Sequence, residues 1–310
     1  MEDLTGLNIL VIGGTGYLGR HIAARANELG AKVYCVSKNK QPPKKKMPGI
    51  IYWKVDITNN AEIEILRNVQ FEFVVNASGY VDHTYYKDGG KSVIDMHLIG
   101  LFNIISCLDR SRLKRFVQIG SSDEYGKVAA PQKESVREMA STPYAYSKVA
   151  STHFIQMLYR SEGFPGVVAR LFLIYGPEQE SNRLIPQIMG AARGVKQIQF
   201  TKGEQIRDFS YIDDVVSGIF KILLGGNSLN GEVINIGSGV AVSVRTIIEM
   251  ISKIAKIKKI KLGGKEYKEN ENMQLYPDLS KSKRLLTWLP VVQLEKGLKI
   301  TWGSINNDKT

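Results

Sequence analysis

The run Asn8-Ile9-Leu10-Val11-Ile12 leads straight into Gly13-Gly14-Thr15-Gly16-Tyr17-Leu18-Gly19, and a helical periodicity begins at Tyr17 and stops at Gly30. A short apolar run rich in β-branched residues reads as a buried strand, and a glycine just past a helical pattern reads as its C-terminal stop. Strand, glycine turn and helix in that order open a parallel α/β unit. They also aim backbone N–H groups and the positive end of a helix dipole at one point, where a pyrophosphate fits. Gly13 serves the tight turn, Gly16 the close approach of the phosphates and Gly19 the contact between helix and strand. Three spaced glycines alone would be a weak signal, and the flanking elements give them meaning.

The dinucleotide contacts expected here are Gly13, Gly14, Thr15, Gly16, Tyr17, Leu18 and Gly19. In Rossmann folds a carboxylate about 20 residues on receives the ribose 2′-hydroxyl of NAD, whereas cations there suit the 2′-phosphate of NADP. The second strand, Lys32-Val33-Tyr34-Cys35-Val36, ends in Ser37-Lys38-Asn39-Lys40 with no carboxylate. NADP is therefore the expected cofactor, through Ser37 and Lys38, with NAD as the alternative. The bland reading is a solvated loop in which Lys38 and Lys40 join Lys44, Lys45 and Lys46. Asp56 follows Ile51-Tyr52-Trp53-Lys54-Val55 and is the expected partner of the adenine amino group, with Ile57 beside it.

Chemistry is carried by Tyr144-Ala145-Tyr146-Ser147-Lys148. Tyr144 and Lys148 lie one helical turn apart, so both project from one face. An ammonium beside a phenol is expected to lower the phenol's pKa and let Tyr144 pass a proton near neutral pH. Ser121, in Gly120-Ser121-Ser122-Asp123-Glu124-Tyr125-Gly126 at the end of an apolar run, can hold a substrate oxygen against Tyr144. A tyrosine and a lysine at this spacing are usually a core ring and a surface charge, but here they follow a glycine loop and a serine-bearing strand end. His83, in Gly79-Tyr80-Val81-Asp82-His83, is the histidine expected to approach the site.

These residues together resemble the extended short-chain dehydrogenase/reductases, specifically the nucleotide-sugar epimerases, dehydratases and 4-ketoreductases. The resemblance covers nearly the whole chain. It extends to Arg170-Leu171-Phe172-Leu173-Ile174-Tyr175-Gly176-Pro177, Asn182-Arg183-Leu184-Ile185-Pro186, Arg207-Asp208-Phe209-Ser210-Tyr211-Ile212-Asp213-Asp214-Val215 and Leu285-Leu286-Thr287-Trp288-Leu289-Pro290. The resemblance implies that the catalytic serine lies four residues before the tyrosine of the Tyr-Gly pair, which selects Ser121 over Ser122. It implies cofactor contacts from Tyr144 and Lys148 and substrate contacts from Ser122, His83, Arg183 and Arg207, the last gripping a diphosphate through its fork of donors. Leu173 stands where many epimerases and dehydratases carry an asparagine that helps to hold the sugar nucleotide, so that contact is in doubt.

The expected architecture is α/β: a doubly wound parallel sheet, the NAD(P)-binding Rossmann fold, with a smaller C-terminal substrate lobe. Residues 1 to about 175 and about 212–239 form the first, and about 176–211 and 240–310 the second. Expected helices include Gly90 to Arg112, the catalytic helix from Tyr144, and Ser243 to Ala255. In Ile254 to Lys268 lysines alternate with isoleucines and a leucine, as on a half-exposed strand. The formal charge of +12 raises nucleic acid, a membrane surface or small anions as partners. The lysines are scattered, so phosphorylated ligands in a cleft are preferred, without nucleic acid or membrane. Cys35 and Cys107 lie in apolar segments, and His21, His83, His97 and His153 show no metal-ligand spacing, so neither disulfides nor a metal are expected. With no signal peptide or membrane-length apolar run, the expected location is cytoplasmic.

For the reaction, NADPH-dependent reduction of the C4 keto group of a nucleotide-diphosphate-linked 4-keto-6-deoxy sugar, with Tyr144 as proton donor, needs nothing beyond Ser121, Tyr144 and Lys148. A 4-epimerase needs the same residues and room for the sugar to rotate. A 4,6-dehydratase needs a further acid and base; Asp123-Glu124 resembles its Asp-Glu pair, but in ungapped register Ser122-Asp123 fills those positions. Asp123 is accordingly a candidate catalytic residue. Both alternatives retain NAD. A redox-sensing or RNA-binding relative of the fold is the non-enzymatic alternative. The broad apolar surfaces of Gly90 to Arg112 and Tyr144 to Ser161 predict a homodimer through these helices.

Overall fold

A computed structural model describes residues 3–38, 47–194, 199–256, 260–267 and 271–307. Its strands are β1 (Asn8–Ile12), β2 (Lys32–Ser37), β3 (Ile50–Lys54), β4 (Phe73–Asn76), β5 (Arg115–Ser121), β6 (Gly166–Leu171), β7 (Leu173–Tyr175), β8 (Ile206–Arg207), β9 (Phe209–Tyr211), β10 (Val233–Ile236), β11 (Val242–Ser243) and β12 (Gln274–Leu275). Seven of them make one parallel sheet in the order β3-β2-β1-β4-β5-β6-β10. The order reverses between β1 and β4, the switch point where such sheets open a crevice at the carboxyl ends of their strands.

Both faces of the sheet are covered, which is why its strands read as continuous apolar runs. Ile9, Val11, Val75, Val117 and Ile119 point into one core layer, while Leu10, Ile12, Val74 and Phe116 point into the other. Helices α1 (Tyr17–Glu28) and, later in the chain, Ile212–Leu223 fill the first layer. On the other face sit the short α2 (Asn60–Ile63), α3 (Lys91–Ile94), α4 (Gly100–Cys107) and α5 (Pro143–Glu162). The Thr142 hydroxyl accepts the Ala145 N–H, Pro143 occupies the first turn, and Gly163 ends α5 in the left-handed region. These caps fix where Tyr144 and Lys148 emerge.

The remaining chain adds α6 (Leu184–Ala192), α7 (Ile212–Leu223), α8 (Val244–Ile254), α9 (Ser280–Leu286) and α10 (Leu294–Asn307). Strand β8 pairs with β11 and β12, and β7 with β9. Ile185, Ile188, Met189, Ile247, Ile251 and Leu298 carry the first core layer into this part without a break. No helix among the described residues is long and apolar enough to cross a membrane.

Two expectations need correction. The helix predicted to reach Arg112 ends at Cys107, because Asp109 accepts the Ser111 N–H at 2.8 Å and turns the chain away. Between α3 and α4 the residues Asp95–Ile99 form a π-helical turn, which shifts the helix face by a residue and turns His97 inward. No described part of Ile254 to Lys268 is a strand: Ile254 closes α8, and 260–267 run without strand pairing. Lys40, Lys44, Lys45, Lys46 and Lys268 lie outside the described residues.

Candidate active site

The glycine turn closes against β2: the Gly13 N–H donates to the Val36 carbonyl at 2.8 Å and the Gly16 N–H to the Gly13 carbonyl at 2.9 Å. Gly13 has φ +78°, and a Cβ there would stand 2.5 Å from the Ala77 oxygen; at Gly19 it would stand 2.1 Å from the Gly13 oxygen. Both positions exclude any side chain. Gly16 caps α1 with no side-chain acceptor and no acidic residue in the first turn, so the helix presents open N–H groups at its positive end. This cradle fits the pyrophosphate of a dinucleotide.

Beyond the turn, a cleft of roughly 780 Å³ runs between the sheet and the C-terminal part, lined by Gly16 to Gly19, Ser121, Ser122, Asp123, Tyr144, His83, Arg183 and Arg207 among others. The Tyr144 phenol and the Ser121 side chain both line the cleft, and Ser121 acts on the phenol to favour its ionised form. Lys148, buried one turn along α5, donates to the Ile119 carbonyl at 2.9 Å, its Nζ 5.9 Å from the centre of the Tyr144 ring. Burial lowers the Lys148 pKa to about 8, opposed by the Glu124 charge. The expected lowering of the Tyr144 phenol is not found. Burial, reinforced by the Asp123 and Glu124 charges, drives its pKa upward, with Ser121 and Arg183 opposing the shift. Desolvation of a phenolate outweighs a lysine whose proton is already given to a backbone carbonyl, so Tyr144 holds its own proton at neutral pH.

His83 reaches the site: its ring is edge-on to Tyr144 at 5.7 Å and its Nε2 is 3.7 Å from the Asp123 carboxylate. Burial raises the Asp123 pKa, with His83 and Arg207 opposing. Arg183 stands exposed at the cleft edge, and Leu173, on the cleft wall, offers no polar group. Arg207 faces the cleft with its fork engaged, Nη2 2.6 Å from Glu271 and Nη1 donating to the Ile206 carbonyl at 2.9 Å. At the other end, Lys38 is ion-paired with Asp56 at 2.7 Å, and Asp56 also accepts the Thr58 N–H and hydroxyl. Ile57 is buried, packed on Gly100, with its carbonyl taken by Asn103. Among the described residues no cluster of acidic, histidine or cysteine side chains could hold a metal ion.

Three participants went unassigned from sequence. Glu124 is fully buried and accepts the Ser121 N–H at 2.8 Å. The spacing Ser121-x-x-Glu124 is a capping box, a signal that could have found it. His97, carried inward by the π turn, lies edge-on to Tyr144 at 5.2 Å with its Nε2 3.0 Å from the Tyr80 carbonyl. Burial and Lys148 hold it neutral, its pKa lowered to about 3. Glu271, in an irregular segment, had no local signal.

A parallel sheet opening at its switch point onto a glycine cradle and a Ser-Tyr-Lys set defines a nucleotide-dependent oxidoreductase of the extended short-chain dehydrogenase/reductase type. The chain belongs to the NAD dependent epimerase/dehydratase family, whose model matches residues 9–237. It is 26% identical over 268 residues to the UDP-glucuronate 4-epimerase of Thermodesulfobacterium geofontis, covering 84% of this chain and 82% of that one. It is 25% identical over 344 residues to the dTDP-glucose 4,6-dehydratase of Haemophilus influenzae, covering 98% and 100%. Among solved structures, the UDP-glucuronic acid 4-epimerase of Bacillus cereus, in complex with UDP-glucuronic acid and NAD, superposes with a TM-score of 0.88 at 24% identity over 97% of this chain and 99% of that one.

Proposed function

We propose that the protein interconverts C4 epimers of a nucleoside-diphosphate hexose with a retained NAD. The observation that carries this over dehydration is the position of Glu124: clamped by Arg170 at 2.6 Å and withdrawn from the cleft, it leaves Asp123 as the lone carboxylate of the pair. The Lys38–Asp56 ion pair supports NAD over NADP, because the cation expected to meet a 2′-phosphate is already matched by a carboxylate. NADPH-dependent 4-ketoreduction, the sequence expectation, loses its main support with it. The relatives named above are epimerases and dehydratases, which agrees.

The glycine turn and the start of α1 would hold the pyrophosphate, with Tyr144 and Lys148 towards the nicotinamide ribose. NAD bound there supplies a hydride acceptor for C4 that can return the hydride to either face. Ser121 Oγ holds the sugar O4 against Tyr144. For the oxidative direction Tyr144 would act as its phenolate, a form that the positive charge of a bound NAD would favour; Oη then takes the O4 proton, an uptake that the raised phenol pKa favours, and gives it back in the reductive direction. Lys148 steadies this exchange by its charge. Arg207 and Arg183 receive the diphosphate, with Arg207 exchanging Glu271 for phosphate oxygens.

The His83–Asp123 pair supports a second reading, 4,6-dehydration, since it places two proton-handling groups beside Tyr144. Incubation with UDP-glucose, UDP-glucuronate and dTDP-glucose in D₂O separates the readings. A C4 epimer without deuterium at C5 is the expected product; a 4-keto-6-deoxy sugar deuterated at C5 would establish dehydration. Net NADPH oxidation with a 4-keto-6-deoxy sugar nucleotide would restore the reductase.

The division into a dinucleotide-binding part (1–175 with about 212–239) and a substrate lobe is supported by β10 pairing with β6 and α7 packing in the same core layer as α1. A homodimer through α4 and α5 is supported by exposed Ile99 and Met157 and by the edge-to-face rings of Phe102 and Phe154, 4.6 Å apart, which join the two helices.

A further inference from the structure

Glu124 is fully buried beside the catalytic groups, and the reaction above gives it no task. Its Oε1 accepts the Ser121 N–H at 2.8 Å. Its Oε2 accepts the Thr152 hydroxyl at 2.8 Å and Arg170 Nη2 at 2.6 Å. Thr152 stands one turn beyond Lys148 and two beyond Tyr144, on the same face of α5. One carboxylate therefore joins the end of β5, the catalytic face of α5 and the C-terminal end of β6. Gly120 makes room for it, since a Cβ there would lie 2.6 Å from Oε1.

We propose that Glu124 is a positioning residue for the proton-handling pair: it locks Ser121 to the Tyr144–Lys148 face of α5 and supplies the counter-charge that Lys148 faces. Arg170 shares its one positive charge between Glu124 and Glu138, which sits 2.8 Å from Nη2, so the trio carries one net negative charge. His153 touches Glu138 from outside at 3.3 Å. The other titratable groups around Lys148 do not supply that charge. Tyr144 on its own helix keeps its proton, and His97 from the π turn is neutral. Asp123, on the same short turn as Glu124, is directed at His83. Glu124 is the charge that resists loss of the Lys148 proton, against a desolvation that has already lowered its pKa to about 8.

The inference rests on Tyr144 and Lys148 being the proton-handling pair, and not on which sugar is converted, so its test reads Lys148 directly. Protein carrying ¹³C at the lysine Cε is titrated by NMR, with the Lys148 signal assigned by its loss in Lys148→Met. The native midpoint is expected near 8. In Glu124→Gln it should fall by about one unit or more, as for removal of a neighbouring opposite charge. The alkaline limb of kcat should fall with it while KM changes less than about two-fold. Since Glu124→Gln removes one of the two carboxylates that Arg170 meets in the core, the double variant Glu124→Leu/Arg170→Met serves as the second probe; it loses the attraction of Glu124 and the opposing charge of Arg170 together, and should lower the midpoint in the same direction by a smaller amount. A folded variant with reduced thermal stability but an unchanged Lys148 midpoint would reduce Glu124 to a structural role. A native midpoint at the free-lysine value would overturn the proposal without any variant, because no counter-charge would be needed.

Discussion

Replacing Lys148 by methionine should abolish turnover and yet stabilise the fold. The lysine is buried, and its pKa is lowered from 10.5 to about 8, chiefly by loss of hydration. A shift of about 2.5 units corresponds to about 3.4 kcal/mol by which the folded state disfavours the charged form. Methionine removes that penalty and fills a similar volume. It also removes the hydrogen bond to the Ile119 carbonyl, but the Gln118 amide donates to the same oxygen at 3.2 Å, so this loss is at the low end, about 1 kcal/mol. The net gain is about 2 kcal/mol at pH 7. With an unfolding entropy of about 2.1 cal/mol/K per residue over 310 residues, it raises Tm by about 3 °C. The sign fixes the pH dependence. A base whose folded pKa lies below its unfolded one pays the full penalty below about 8, progressively less as pH rises, and none above 10.5. At pH 9.5 about 1.4 kcal/mol remains against about 1 kcal/mol for the lost hydrogen bond, and the advantage of methionine nearly disappears. Thermal unfolding of both proteins, freed of cofactor, at pH 7 and 9.5 is the assay. A variant less stable than the parent at pH 7, or a gain that persists at pH 9.5, would refute the argument that desolvation of Lys148 dominates.

Tyr144→Phe should lower kcat by about 10²–10⁴-fold, the usual range for a lost general acid, while leaving bound NAD unchanged when released by heat and quantified. Gly19→Ala should abolish cofactor retention and lower Tm by several degrees, because its Cβ would stand 2.1 Å from the Gly13 oxygen; a variant that keeps its NAD would show that the turn can shift. In Ser37→Asp/Lys38→Ala the ratio of kcat/KM for NAD over NADP should rise, and a parent enzyme favouring NADP would invert our reading of the Lys38–Asp56 pair. Phe102→Arg should convert a dimer to a monomer by light scattering, and a parent that is monomeric at micromolar concentration would remove the α4–α5 interface from the proposal.

The features legible in the sequence are those that depend on neighbours along the chain. Asn8–Ile12, the glycine turn and α1 are written in apolar periodicity and in positions where a Cβ has no room, and the 144–148 spacing fixes a shared helix face whatever surrounds it. Ser121 before its Ser-x-x-Glu box is equally local. What tertiary structure decided is which charges meet and how dry they are. The carboxylate pair of Asp123 and Glu124 looks alike in sequence, yet Arg170, 46 positions from Glu124, draws that one into the core and leaves the other facing His83. Lys38 reads as a free cation until β3 delivers Asp56 to it, and Arg207 until the return of the chain brings Glu271 across 64 residues. The rise of the Tyr144 phenol belongs to the same class. Proximity along a chain sets conformation, whereas charge state follows from burial and distance, and those exist only once the sheet and its flanking layers have closed around the residues.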